Sequence, residues 1–304
     1  MAGLRVIGVD VGGTKTLAAV VTREGTIERP VEQPTEDSSA ESVLSQLDSL
    51  VAEVRAAEPD VEAIGFGLPS VIEQASGRIV LSVNVPLAGV DFRARMQDRH
   101  GLPVGIDNDA NAAAIAEWKV GAARDADNVV MLTLGTGIGG GLILDGNPYR
   151  GATGGGAELG HIVVEVDGPP CGCGGRGHLE TMAAGTAADA AARELYGPES
   201  SARELVDNAR AGEAEAVDAL ARIGRYLGAG IASFVNVFEP ELVVIGGGFG
   251  EAGELLLAPA REMLARDGLA PARDHVRIVQ ATLRGNAGVI GAGMVGFEAL
   301  DAEA

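Results

Sequence analysis

Residues 158–180 read ELGHIVVEVDGPPCGCGGRGHLE and contain both cysteines of the chain and two of its four histidines. His161, Cys171, Cys173 and His178 thus place four soft or borderline metal donors in one Gly-rich stretch. A Cys-x-Cys pair is too tight for easy disulfide geometry but sits comfortably around a tetrahedral ion. Two thiolates and two imidazoles suit Zn²⁺, and since they fill every position the ion is expected to be structural. The alternative is a Gly-rich loop with incidental thiols. Glu158 and Glu180 stand at the two ends of the stretch, and a loop closed around a metal brings them towards one place. Carboxylates and an imidazole there suit the vicinal hydroxyls of a neutral sugar. Isolated surface glutamates are the plainer alternative.

Two further stretches suggest phosphate chemistry. DVGGTKT, residues 10–16, and LGTGIGG, residues 134–140, each interrupt an apolar run with glycines and a threonine. Gly12, Gly13 and Thr14 form one turn, with Lys15 beside it; Gly135, Thr136 and Gly137 form the other. Glycines let backbone N–H groups approach anionic oxygens, and Thr adds a hydroxyl. Asp10, just ahead of the first turn, is placed to hold Mg²⁺ directly or through water. Neither stretch is a Walker A loop. GTGIGG does satisfy G-x-G-x-x-G, but it leads into an apolar strand and not a helix, which argues against a dinucleotide fold. Ordinary hairpin turns remain the alternative for each alone; their pairing in one chain favours phosphate clamps. A third run, Gly246-Gly247-Gly248, closes the strand LVVIGGG and suits a nucleotide base or ribose against bare backbone, or is a purely structural turn.

A base for proton transfer is offered by IDNDAN, residues 106–111. Asp109 falls at the mouth of an Ala-rich helix, where the helix dipole favours the charged carboxylate. An ionised Asp can accept the proton of a sugar hydroxyl as that hydroxyl attacks a γ-phosphoryl group, leaving positioning and charge stabilisation to the rest of the protein. The simpler reading is that Asp107 or Asp109 merely caps the helix.

These residues need a frame. LRVIGVDVGGTKTLAAVVTREGTI and NVVMLTLGTGIGGGLILDGNPY share a pattern: strand, Gly/Thr turn, strand, then a tight turn at Glu24-Gly25 or Asp145-Gly146. Between them, residues 38–58 place Val43, Leu47, Leu50, Val51 and Val54 at helical spacing behind a Ser cap. VEAIGFGLPSVI reads as a strand, and LPVGIDNDANAAAIAEWKVG as strand, elbow and helix. Helices are predicted at about 180–196, 200–211, 213–235 and 251–266, strands at ELVVIGGG and HVRIVQAT, and a last helix at GVIGAGMVGFEAL. Strands alternating with helices give an α/β protein in two lobes of related architecture.

Composition limits the function. The net charge is −20, and Lys15 and Lys119 are the only lysines. Such a surface argues against nucleic acid and anionic membranes as partners. At 46% apolar residues disorder is not expected. No signal-like apolar segment or membrane span is visible, so a cytoplasmic, reducing location is expected, where a disulfide is not the default.

The ordered set DVGGTKT, IDNDANAAA, LTLGTGIGGG, AELGH and CGCGGRGHLE resembles the ROK (repressor, open reading frame, kinase) sugar kinases over nearly the whole chain. The resemblance implies the actin-like ATPase (ribonuclease H-like) fold, with two α/β lobes and a cleft between them. The lobes are expected at 1–117 plus a returning C-terminal helix at about 288–304, and at 118–287 with the zinc loop 158–180. It implies ATP and Mg²⁺ at the glycine turns, including Gly247 and Gly248, Asp109 as catalytic base, and Asn108, Glu158, His161 and Glu180 as sugar contacts. His161 would serve sugar and zinc alike. Gly67 and Asn84 fall where the family's cleft wall passes. A homodimer is implied as well. His178 stands where the family's zinc loop usually has a third cysteine, which makes the site Cys₂His₂ or leaves His178 outside it. The implied reaction is ATP-dependent phosphorylation of a hexose 6-hydroxyl, with glucose foremost and mannose, N-acetylglucosamine or fructose as alternatives. A sugar-sensing regulator of the same fold would need an N-terminal DNA-binding helix pair, whereas the first strand is expected by residue 4.

Overall fold

The computed structural model describes residues 3–82 and 84–303. The chain divides into two compact units, one of residues 1–124, 148–157 and 285–304, the other of residues 125–147 and 158–284. Each is built on a five-stranded mixed sheet of the same plan.

In the first unit the strands are β1 (Arg5–Val11), β2 (Lys15–Thr22), β3 (Ile27–Pro34), β4 (Ile64–Leu68) and β7 (Val104–Asn108), in the order β3-β2-β1-β4-β7. A small hairpin, β5 (Ser70–Glu73) and β6 (Arg78–Ser82), stands apart from this sheet. β1, β2 and β3 run antiparallel, while β1, β4 and β7 are parallel. The near-continuous apolar run of β1 follows from burial on both faces of a central strand. The outer strand β3, IERPVEQP, is the contrary case. Its two prolines and three charged residues conceal a strand in the sequence, yet they suit an exposed edge, where Pro loses no ladder bond and charge discourages further pairing.

The helices are α1 (Ala40–Ala57), α2 (Phe92–His100), α3 (Asp109–Val120) and α10 (Ala287–Glu303). α1 starts at a capping box of Ser39 and Ser42 and buries Val43, Leu44, Leu47, Leu50, Val51 and Val54. Helix α10 packs on the three parallel strands along a furrow. Gly8, Gly65 and Gly105 pair across β1, β4 and β7, and a Cβ on any of them would collide with the carbonyl oxygen of Val289, Ala292 or Val295 respectively. A Cβ on Gly291 would in turn strike the Ala112 carbonyl of α3. Bare backbone on both sides allows the helix to lie directly on the sheet.

In the second unit β8 (Val129–Leu134), β9 (Ile138–Leu144), β10 (Asn147–Pro148), β11 (Leu242–Gly246) and β12 (Arg277–Gln280) take the order β10-β9-β8-β11-β12, with β8, β11 and β12 parallel. Asp145 and Gly146 both have positive φ, 50° and 69°, as the tight turn after β9 requires. The helices are α4 (Leu179–Ala183), α5 (Gly185–Tyr196), α6 (Ala202–Arg210), α7 (Ala214–Phe238), α8 (Glu254–Asp267) and α9 (Ala272–His275). The single helix predicted over 180–196 is divided at Ala184, whose backbone is extended (φ −85°, ψ 175°). The break frees the Gly185 N–H to donate to the Gly135 carbonyl at 2.8 Å, tying α5 to a glycine turn. Among the described residues no helix is long and apolar enough to cross a membrane.

Candidate functional site

The first unit gathers its candidate residues at the carboxyl ends of the parallel strands. Register places Asp10 beside Gly67 and Gly67 beside Asp107. A Cβ on Gly67 would lie in ordinary contact with both Asp10 Oδ1 (3.8 Å) and the Asp109 Cα (3.7 Å), so Gly67 adjoins both residues. A Cβ on Gly288, in the first turn of α10, would collide with the Asp10 carboxylate, which thus lies against a helix N-terminus. Loss of water pushes the Asp10 carboxyl up to about 6, with the charge of Lys15 pulling the other way. The glycine turn that follows is closed by the Gly12 N–H donating to the Lys15 carbonyl at 2.9 Å and braced by the Thr35 hydroxyl donating to the Gly12 carbonyl at 2.8 Å. The Thr35 N–H adds a second brace, donating to the Thr14 carbonyl at 3.0 Å. Lys15 pairs with Glu32 at 2.7 Å on the surface. Asn84 is exposed and packs beside Gly13.

The elbow after β7 is built from its own polar residues. Asn108 caps α3, its side-chain oxygen accepting the N–H groups of Ala110 and Asn111. Asp109 is therefore the first helical residue, and its Oδ1 accepts the Ala110 N–H at 2.9 Å. Asp107 is fully buried. Its Oδ1 accepts from the Asn108 N–H (2.8 Å) and from Asn111 Nδ2 (3.1 Å), and its Oδ2 from Arg150 Nε (2.7 Å). Arg150 also donates to Glu298 on α10 at 3.0 Å. Burial acts to lower the proton affinity of Arg150, but the Asp107 and Glu298 carboxylates outweigh it and raise it. Sequence reasoning overlooked Arg150, Gly288 and Thr35. Arg150 is a lone cation in a Gly-rich segment, and nothing local marks its partner 43 residues away.

The second unit carries the other glycine turn. The Gly135 N–H donates to the Gly137 carbonyl at 2.9 Å. Gly247, with φ +80°, lies so close to Leu134 that a Cβ would collide with its carbonyl, which brings the third glycine run beside this turn. Gly247 and Gly248 are exposed. Glu180 reaches the same turn: its Oε2 accepts the Ile138 N–H at 2.9 Å, and a Cβ on Gly137 would strike it. Its Oε1 accepts from the Cys171 thiol at 3.5 Å.

His161, Cys171, Cys173 and His178 form one cluster, their ligand atoms all within 4.8 Å of one another. Cys171 Sγ lies 3.7 Å from His161 Nδ1 and Cys173 Sγ 3.3 Å from His178 Nδ1. Edges of about 3.3–3.8 Å are what Zn–S and Zn–N bond lengths impose on a tetrahedron, so the donor set fits the ion in chemistry, and these two pairs fit it in spacing, while the 4.8 Å span of the whole set would draw in on the ion. Backbone pairing of Val163 with His178 and of Pro170 with Arg176 holds the loop in its fold. Burial pushes the Cys171 thiol up to about 11, so a thiolate there calls for a cation beside it. His161 turns Nδ1 to the cluster and leaves Nε2 4.0 Å from Glu158 Oε2, so one ring presents two faces.

The ROK family model matches residues 6–296. A glucokinase of Thermotoga maritima is 36% identical, covering 97% of this chain and 98% of its own. A ROK family glucokinase from Streptomyces griseus, solved in complex with glucose and AMPPNP, superposes with a TM-score of 0.84 at 34% identity, covering 97% of this chain and 99% of its own. A ROK family transcriptional regulator, a homologue of the Escherichia coli MLC protein, superposes at 0.90 with 27% identity, covering 99% of this chain and 79% of its own.

Proposed function

The chain belongs to the ROK family, and from that premise we propose that it transfers the γ-phosphoryl group of ATP to the 6-hydroxyl of D-glucose, giving glucose 6-phosphate and ADP. The observation that carries the reading is Asp109, a carboxylate at the first turn of α3, with Gly67 adjoining both it and Asp10. In this role Asp109 accepts the hydroxyl proton as the oxygen attacks phosphorus. Asn108, Glu158, His161 and Glu180 are assigned to the sugar hydroxyls, and Gly67 and Asn84 to the same substrate. The turns Gly12–Thr14 and Gly135–Gly137, with Lys15, Gly247 and Gly248, are assigned to ATP. Asp10 would hold Mg²⁺, directly or through water, and the ion offsets phosphate charge when bound. Zn²⁺ at His161, Cys171, Cys173 and His178 is assigned a structural role. We place the enzyme in the cytoplasm, as a homodimer, with neither nucleic acid nor membrane as partner.

A second reading, a sugar-sensing regulator that retains the kinase cradle, is favoured by the likeness to the ROK transcriptional regulator. A coupled ADP-release assay with Mg-ATP and glucose, mannose, fructose and N-acetylglucosamine, at low and multimolar KCl, separates the two. Turnover with glucose far above the others is expected. Silence from folded protein with every sugar at both salts would move the assignment to the regulator.

A further inference from the structure

Asp109 carries the proposed chemistry, but the polypeptide around it is held from behind. Asp107 Oδ1 takes the Asn108 N–H and Asn111 Nδ2, from residues that flank Asp109 in the elbow and first turn. Asp107 is shut off from solvent, its side chain being 1% exposed, and its other oxygen is paired with the Arg150 Nε at 2.7 Å. Arg150 is itself fixed at its far end by Glu298 of α10, at 3.0 Å. The chain Glu298–Arg150–Asp107–Asn108/Asn111 thus runs from one helix, through a guanidinium, to residues on either side of Asp109 in the sequence.

We infer that Arg150 is a positioning residue for the base: by pairing with Asp107 it fixes the elbow in the orientation from which Asp109 reaches the sugar hydroxyl. This rests on the kinase reading above. Arginine suits the task because its planar fork meets two carboxylates at once, which an ammonium on a flexible stem does not. The pair is also one whose half-removal is worse than its full removal, since a buried carboxylate without its partner draws in water or moves.

The test is Arg150→Met, Arg150→Lys and the double substitution Asp107→Asn/Arg150→Met, each assayed below its melting temperature. For Arg150→Met, kcat should fall about a hundredfold, the scale of a misplaced catalytic group, with the KM values for glucose and Mg-ATP changed less than about threefold. Arg150→Lys should lose about tenfold. The double substitution should recover kcat over Arg150→Met by about tenfold, because the amide introduced by Asp107→Asn retains an acceptor for the elbow bonds without the stranded charge. A folded Arg150→Met enzyme with kcat within about twofold of the parent would overturn the inference, since a merely structural arginine lowers stability and leaves turnover alone. If Arg150→Met does not fold, the Arg150→Lys loss and the behaviour of the double variant decide the matter in the same way. Hydrogen exchange of the 104–116 backbone is read in parallel on protein without substrate. Faster exchange there in Arg150→Lys, with α1 unchanged, is expected even if the parent phosphorylates no sugar, so failure of the kinase reading and failure of this one are told apart; unchanged exchange at the elbow would overturn it.

Discussion

Asp109 carries the proposed chemistry, and His178 decides how the metal loop is held. Asp109 Oδ1 takes up one local bond, from the Ala110 N–H. Asp109→Asn keeps the size and that acceptor but loses the basicity, so kcat should drop about 10²–10⁴-fold while calorimetric glucose binding persists. Retained kcat would remove Asp109 from the role. His178 lies 3.3 Å from Cys173 Sγ through Nδ1 and so joins the cluster by geometry, although the family pattern has a cysteine there. Purified protein should carry about one zinc per chain, and His178→Ala should lower that content in elemental analysis. Equal content in the variant would mean that three ligands and water hold the ion.

Among the elements, α10 and the sheet beneath it are the most exacting fit. Gly65 is the middle member of the furrow, with Ala292 and Gly296 of α10 against it. Gly65→Ala forces two backbones apart, an overpacking cost of about 1–3 kcal/mol or more, to be read as a lowered Cm in urea without a change of m. Helix α2 meets α1 through His100, whose Nε2 lies 3.1 Å from Asp48 Oδ1. Burial holds this imidazole below its ordinary value of 6.5, with Asp48 opposing. The unfolded chain therefore takes up the proton first. The stability that neutral His100 contributes is present above about pH 6.5 and drains away as the pH falls through the lower folded value. Denaturation curves between about pH 5 and 7.5 should slope less for His100→Asn than for the parent; parallel slopes would assign the titration elsewhere. How far such elements could be read beforehand depended on where their determinants lie. α1 announces itself because its cap and apolar stripe are local, and the two hairpin turns because glycine and threonine mark them in place. β3 is hidden by residues chosen for an edge. The break at Ala184 is set by Gly135, far earlier in the chain, and no propensity in the helix itself foretells it. The metal cluster was legible as a spacing, the Asp10–Gly67–Asp109 grouping only as separate motifs, and Arg150 not at all, because its meaning is a register between strands and helix.

At the scale of the whole molecule, the net charge of −20 is a mutual repulsion that compactness must overcome. Raising KCl to about 1 M shrinks the screening length to about 3 Å, so thermal unfolding should shift upward with salt. A flat response would show that the ion pairs on the surface already balance the field. The placement of α10 has a further result, concerning time. The first unit is discontinuous, and the helix that fills its glycine furrow is synthesised after every strand and helix of the second unit. Domains generally fold as units while the chain emerges. The second unit therefore has all its strands before α10 is made, whereas β1, β4 and β7 wait with an uncovered apolar face although they precede it in the chain. A fragment released at residue 284 should display a protease-resistant second unit joined to a first unit that is still susceptible, because the strands that open the fold are completed only by the helix that lies beyond the second unit.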